Sequence, residues 1–225
     1  REQLAQAASQ IGSNKDLPLA LKQQMYTLAV DEMVKQSNAS PLDARFPLFL
    51  GILFSSYGNM ADAAKALERA HELSPTKQGI LFQQAAVADA QGDSVSTLKY
   101  LKTAYDLAPE SRESRLYYAS ALIRAKQDTE AEVILSPLVE TGDAADARIA
   151  SAYASRNQYG KIAAIWATHT EKYPDDMQGY FTLAAAYSAA GNKAQAIAVL
   201  QSVQQKNPAV APQAQEFIQQ IQSGK

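Results

Sequence analysis

The stretch Leu50–Pro75, LGILFSSYGNMADAAKALERAHELSP, decides the fold. It predicts two short helices separated by a turn at Tyr57-Gly58-Asn59. Gly51 in the first helix, and Ala63 and Ala70 in the second, put small residues where the two would cross. Pro75 closes the unit, because proline cannot continue the hydrogen-bond ladder of a helix. A related unit closes at Pro109. The two prolines lie about 34 residues apart, which is the period of a helix–turn–helix repeat array.

Outward from this stretch, the same grammar predicts five repeats over 44–210, at about 44–77, 78–111, 112–142, 143–176 and 177–210. In the second repeat Ala85 replaces Gly51, Gly92 replaces Gly58, Ala104 replaces Ala70 and Pro109 replaces Pro75. Thr97 stands for Ala63 and fits less well. The third repeat, with Tyr118, Ala119, Leu122, Ala131, Leu135 and Leu138, lacks the closing proline and ends near Gly142. The fourth ends at Pro174, which falls three short of two full periods after Pro109, so a tighter turn is expected near Gly142. Trp166 is expected in its core. The fifth, with Leu183, Ala184, Tyr187, Gly191, Ala196 and Leu200, closes at Pro208, one full period beyond Pro174.

Before the array, 1–43 predicts a helical pair, a cap or a degenerate repeat. The first helix spans Glu2 to Ile11, and the second is capped by Asp16 and runs to about Ser37. After the array, 211–225 predicts a capping helix from about Pro212 to Gln222, with Ala214, Phe217, Ile218 and Ile221 inward, and a frayed tail. The absence of an initiator Met at Arg1 points to a longer parent protein, and no signal peptide is legible.

Composition narrows the function classes. The 225 residues carry a net charge of −2, with Lys and Arg scattered among Asp and Glu, so nothing points to nucleic acid. The chain has no Cys, which excludes disulfides and thiol chemistry. The most apolar run, Phe46 to Phe54, is far short of the ~20 residues of a spanning helix. His71 and His169 have no second His at helical spacing, so no metal site and no cofactor is expected. Asp175-Asp176 predicts a helix cap, and no phosphate loop or nucleophile pattern occurs.

The recurring Gly51, Ala85, Ala119, Ala150 and Ala184 predict an all-α fold, an α-solenoid wound as a right-handed superhelix. Bulk at these notches would separate the helices at a cost of about 1–3 kcal/mol. First helices would line the concave side and second helices the convex side. Leu183-Ala184, Tyr187, Gly191, Ala196 and Pro208 make the pattern resemble the tetratricopeptide repeat family over about 44–210. More specifically, ARFPLFLG, LERAHELSPTKQGILF and LKTAYDLAPESRESRLYYASALI are similar to the C-terminal repeat region of bacterial O-antigen ligase or polymerase-type membrane proteins. LAAAYSAAGNKAQAIAVL is similar to the last repeat of that region. That resemblance implies a bacterial chain tethered to the inner membrane through a preceding multi-helix portion.

The family's ligand-facing positions map onto Arg45, Leu48, Ile52 and Ser55 in the first repeat, and onto Phe82 and Asp89 in the second. In the third they fall on Glu113, Leu116, Ser120, Ile123 and Arg124, and in the last two on Ser151, Phe181 and Ser188. Ile52, Ala86 and Ser120 stand where a carboxylate clamp would need Asn. The resemblance therefore implies a protein or peptide partner with an apolar or helical segment. The expected function is a non-catalytic protein–protein interaction scaffold; against the groove stands a purely structural reading, in which a tight superhelix buries Phe82, Leu116 and Phe181 against adjacent first helices. Its rivals are a regulatory or substrate-shaping part of a glycosyl-transfer enzyme, and a module that self-associates end to end.

Overall fold

The computed structural model describes residues 1–223, and within them every regular element is helical. The tail at 224–225 lies outside the described residues. The chain divides into two compact units, Arg1–Pro109 and Glu110–Lys225.

In the first unit, α1 (Glu2–Ser13) and α2 (Leu19–Ala39) pack on each other and on α3 (Arg45–Ser56). Then α3 pairs with α4 (Met60–Leu73), α4 with α5 (Gln78–Ala90), and α5 with α6 (Ser94–Leu107). In the second unit, α7 (Arg112–Arg124) pairs with α8 (Asp128–Thr141) and also touches α9 (Ala147–Ala154). α10 (Tyr159–Lys172) pairs with α9 and α11 (Met177–Ala189), and α12 (Lys193–Lys206) packs on α11. A short 3-10 turn at Pro208–Val210 leads into α13 (Ala211–Ser223), which covers α12. Stacked helical hairpins of this kind are an α-solenoid arrangement.

Each repeat hairpin turns on one left-handed residue. Gly58, Gly92, Lys126, Asn157 and Gly191 all have positive φ, between 57° and 83°. The step from one to the next is constant except between Lys126 and Asn157, where it is three positions shorter. Glycine adopts this conformation without a Cβ clash, and asparagine tolerates it; lysine does so at a cost. Several helices then start on a side-chain cap. Asn59, Asp93, Ser111, Asp146 and Asp176 each accept a hydrogen bond from a backbone N–H in the first turn.

The notch is real at Gly51, where an added Cβ would lie 2.5 Å from Leu67 Cγ. Ala85, Ala119 and Ala184 are buried at the equivalent points. Leu67, Leu101, Leu135 and Leu200 fill the same place in four second helices. Thr97 is buried where Ala was expected, with its hydroxyl donating to the Asp93 carbonyl at 2.8 Å.

The fourth hairpin departs from expectation. The three missing positions come out of a helix and not out of the turn at Gly142. α9 has 8 residues, whereas α5, α7 and α11 have 13 each. Ala150 is only half-buried there. Ile162 and Trp166 take the places held elsewhere by small residues and Leu, and Trp166 stays half-exposed, edge-on to His169. A shortened α9 cannot cover a full second helix, so Trp166 is not the core residue expected. One boundary also moves. α2 begins at Leu19 with Pro18 before it, so Asp16 is not its cap; the Asp16 N–H donates instead to Asn14.

Candidate functional site

The expected partner-facing residues lie on first helices, and their accessibility differs between units. In the first unit, Leu48, Ile52 and Ser55 on α3 and Phe82 on α5 are half-buried, and Asp89 is exposed. Leu48 rests on the Ala63, Leu67 and Val87 cluster. Arg45 is exposed and already occupied. Its Nε and Nη2 donate to the two carboxylate oxygens of Asp43 at 3.0 and 2.7 Å, and Nη1 lies 3.3 Å from Glu2. The α3–α5 face is therefore apolar at its centre and charged at both ends.

In the second unit the equivalent positions are mostly closed. Leu116, Ser120 and Ile123 are buried, because α7 is packed on one side by α8 and on another by α9. Phe181 is buried as well, with its ring 5.6 Å from that of Phe217 on the covering helix α13. These four residues cannot line an open groove. Arg124 and Ser151 remain exposed, and Ser188 is half-buried.

Glu113 belongs to an ion network that the sequence did not reveal. Arg148 Nη1 and Nη2 donate to its two carboxylate oxygens at 2.7 and 3.1 Å. The same guanidinium donates to both oxygens of Asp146 at 2.8 and 2.9 Å, and lies over the Tyr117 ring at 4.4 Å. These hydrogen bonds hold Glu113 and Asp146 below their usual carboxylate values, against the opposing effect of burial, and push Arg148 up. Glu113 and Arg148 lie on different hairpins, and a partner that far along the chain leaves no local signal in the sequence.

His169 also acquires a defined role. Its Nδ1 donates to the Gly142 carbonyl at 2.8 Å, and Nε2 meets Asp176 Oδ2 at 2.8 Å. The ring thus ties the end of α8 to the cap of α11. Asp176 is held low, first by the bond to His169. His71 is half-buried, with Nδ1 unpartnered among the described residues. Among those residues there is no group of three His, Cys, Asp or Glu side chains able to hold a metal, and no helix long and apolar enough to cross a membrane.

Family models of the tetratricopeptide repeat match residues 88–155 and residues 178–209. No curated protein sequence matches the chain. Among solved structures, the fold is similar to the C-terminal part of a repeat protein of the same kind from Cytophaga hutchinsonii. That pair has 14% identity and a TM-score of 0.60, covering 94% of this chain and 80% of the other. A tetratricopeptide repeat protein from Parabacteroides merdae gives 20% identity and a TM-score of 0.57, covering 90% and 78%. YrrB, described as having an unusual peptide-binding site, gives 16% identity and a TM-score of 0.51, covering 82% and 97%. Identities this low speak to the fold alone. The first family match runs from the end of the first unit into the second, and the second match lies within the second unit.

Proposed function

We propose that this array of tetratricopeptide repeats is a non-catalytic scaffold that binds a peptide or protein on its first helices. The observation that carries the reading is the α3–α5 face. There Leu48, Ile52 and Phe82 stay partly open to solvent; Phe49 and Phe54 are half-buried too, but they pack against the Phe46 and Leu50 cluster. A half-exposed apolar row flanked by charge suits an amphipathic helix or extended apolar segment. The fold likeness to YrrB, with its unusual peptide-binding site, supports the same reading. The clamp for a free carboxylate lacks support, since Ile52 and Ala86 stand where its asparagines would be.

Of the expected groove, Leu116, Ser120, Ile123 and Phe181 drop out because they are buried. The surviving positions are Arg45, Leu48, Ile52, Ser55, Phe82 and Asp89 in the first unit. In the second they are Glu113, Arg124, Ser151 and Ser188. Ile52→Glu with Phe82→Glu should abolish recovery of partners in a pull-down while the far-ultraviolet helical spectrum persists. Unchanged recovery with an intact spectrum rules out this face.

The finer reading places the scaffold on a bacterial saccharide ligase or polymerase of the inner membrane. Its support is the likeness of Ala44–Gly51 and Leu101–Ile123 to that group's repeat region. Coding sequence for about ten apolar spans ahead of Arg1 is the expected finding, and a short gene without them overturns it.

A further inference from the structure

The shortened α9 leaves an opening on the opposite side of the second unit, among its second helices. A cavity of about 280 Å³ lies between α8 and α10. Leu135, Val139, Ala164 and Ile165 form its walls, and Tyr153 of α9 reaches it from below. Glu132, Glu140 and Lys161 stand at its rim. The cavity is partly open to solvent, so an apolar group that enters it displaces water and gains dispersion contacts with the walls.

Two observations indicate what would fill it. Tyr153 is 2% exposed, and its ring lines the cavity, but its hydroxyl is not among the fully enclosed atoms without a hydrogen-bond partner, so it is open to a ligand or to water. Burial, and then Glu132 and Asp128, push that hydroxyl up to about 12, so it stays a neutral donor. At the rim, Lys161 Nζ is spent on Glu132 at 2.6 Å. Glu140 has only the Ser136 hydroxyl, at 3.4 Å, and is exposed. The rim therefore carries one uncompensated negative charge. Size sets the rest: a dry cavity of about 150 Å³ accommodates benzene, so this one has room for a bicyclic ring.

We propose that the α8–α10 cavity binds one aromatic side chain of a partner peptide, flanked in that peptide by lysine or arginine. The ring fills the space between Leu135 and Ile165, its polar edge meets the Tyr153 hydroxyl, and the flanking cation lies by Glu140. This site is independent of the first-helix face and stands or falls separately from it.

The test titrates three peptides into the full chain and follows backbone amide shifts by NMR: Ac-Lys-Trp-Lys-amide, Ac-Lys-Ala-Lys-amide and Ac-Glu-Trp-Glu-amide. The first should give saturable shifts centred on α8 and α10. Loss of the ring should weaken binding at least about ten-fold, and the acidic flanks should weaken it about three-fold. Ala164→Phe, at an exposed position on the cavity wall, fills the space and should abolish the shifts. Glu140→Lys should reverse the flank preference, and Tyr153→Phe should weaken binding about three-fold. The proposal is overturned if the tryptophan peptides give no saturable shifts at α8 and α10. It is equally overturned if the alanine peptide binds as well as the tryptophan one, or if Ala164→Phe binds like the parent. Should Ala164→Phe fail to fold, the Glu140→Lys comparison decides alone, and an unchanged preference overturns it.

Discussion

Two residues show how a single backbone position is decided by chemistry. Lys126 occupies the left-handed turn position at φ 63°, where three other hairpins have glycine. A side chain there costs roughly 1–2 kcal/mol, part of which glycine gives back as unfolded-state entropy. Lys126→Gly should therefore stabilise the second unit by about 0.5–1 kcal/mol, read as a higher urea midpoint. The second case is a pair of helical glycines. An added Cβ at Gly51 overlaps Leu67 at 2.5 Å, whereas at Gly79 it meets open space. Helix propensity favours alanine at both by about 1 kcal/mol. Gly79→Ala should raise the thermal midpoint, and Gly51→Ala should lower it through an overpacking cost of about 1–3 kcal/mol. If both substitutions stabilise, the notch does not control the crossing of α3 and α4.

At the element scale, the helix pairs were legible because their punctuation is chemical. Gly58, Gly92 and Gly191 mark turns, Pro75, Pro109, Pro174 and Pro208 mark the ends of second helices, and the period follows. The short α9 was not legible. Ala144, Ala145 and Ala147 are good helix formers, and Asp143 competes with Asp146 as an N-cap, so the sequence does not say which of the two starts the helix. Burial of Leu116 and Phe181 was legible as the structural alternative; the closure of Ser120 and Ile123 was not, since it depends on α8 and α9 flanking α7. Local sequence predicts a face; what covers that face is set elsewhere. The Arg148 network gives this scale its pH dependence. Asp146 and Glu113 are depressed from 3.8 and 4.5, first by bonds to Arg148. Depressed carboxylates contribute stability above their unfolded values and lose it as pH falls through the folded ones. Stability of the second unit should thus decline below about pH 4.5, with Asp146 the larger contributor because the exposed Glu113 is screened. In Arg148→Gln the decline between pH 6 and pH 3 should be shallower. An identical slope would show that the network does not set it.

At the largest scale, the relevant property is that, within each unit, each hairpin leans on its neighbours. Solenoid stability is a sum of local terms, so a terminal cap matters beyond its size. α13 covers Leu200, Val203 and Phe181 through Ala214, Phe217, Ile218 and Ile221. Truncation after Asn207 should uncover this cluster, lower solubility and reduce the stability of the second unit by several kcal/mol, since a single buried Leu-sized group is worth about 1.5–3 kcal/mol. Trp166 is the sole tryptophan and lies in that unit, so its fluorescence reports on the second unit while circular dichroism reports on both. The truncated chain should show a fluorescence midpoint below that of the full chain; an unchanged midpoint would mean that the cap is dispensable.

The left-handed residue at the head of each second helix has one more consequence. It resets the phase of the chain every time, so the shortened interval before Asn157 did not carry its error into the full interval that follows. Length changes are absorbed where they occur. Foreign sequence spliced at the exposed Pro75-Thr76 joint should leave the later hairpins undisturbed, whereas the Gly142–Asp146 joint, held by Arg112, His169 and Tyr173, is no place for a graft.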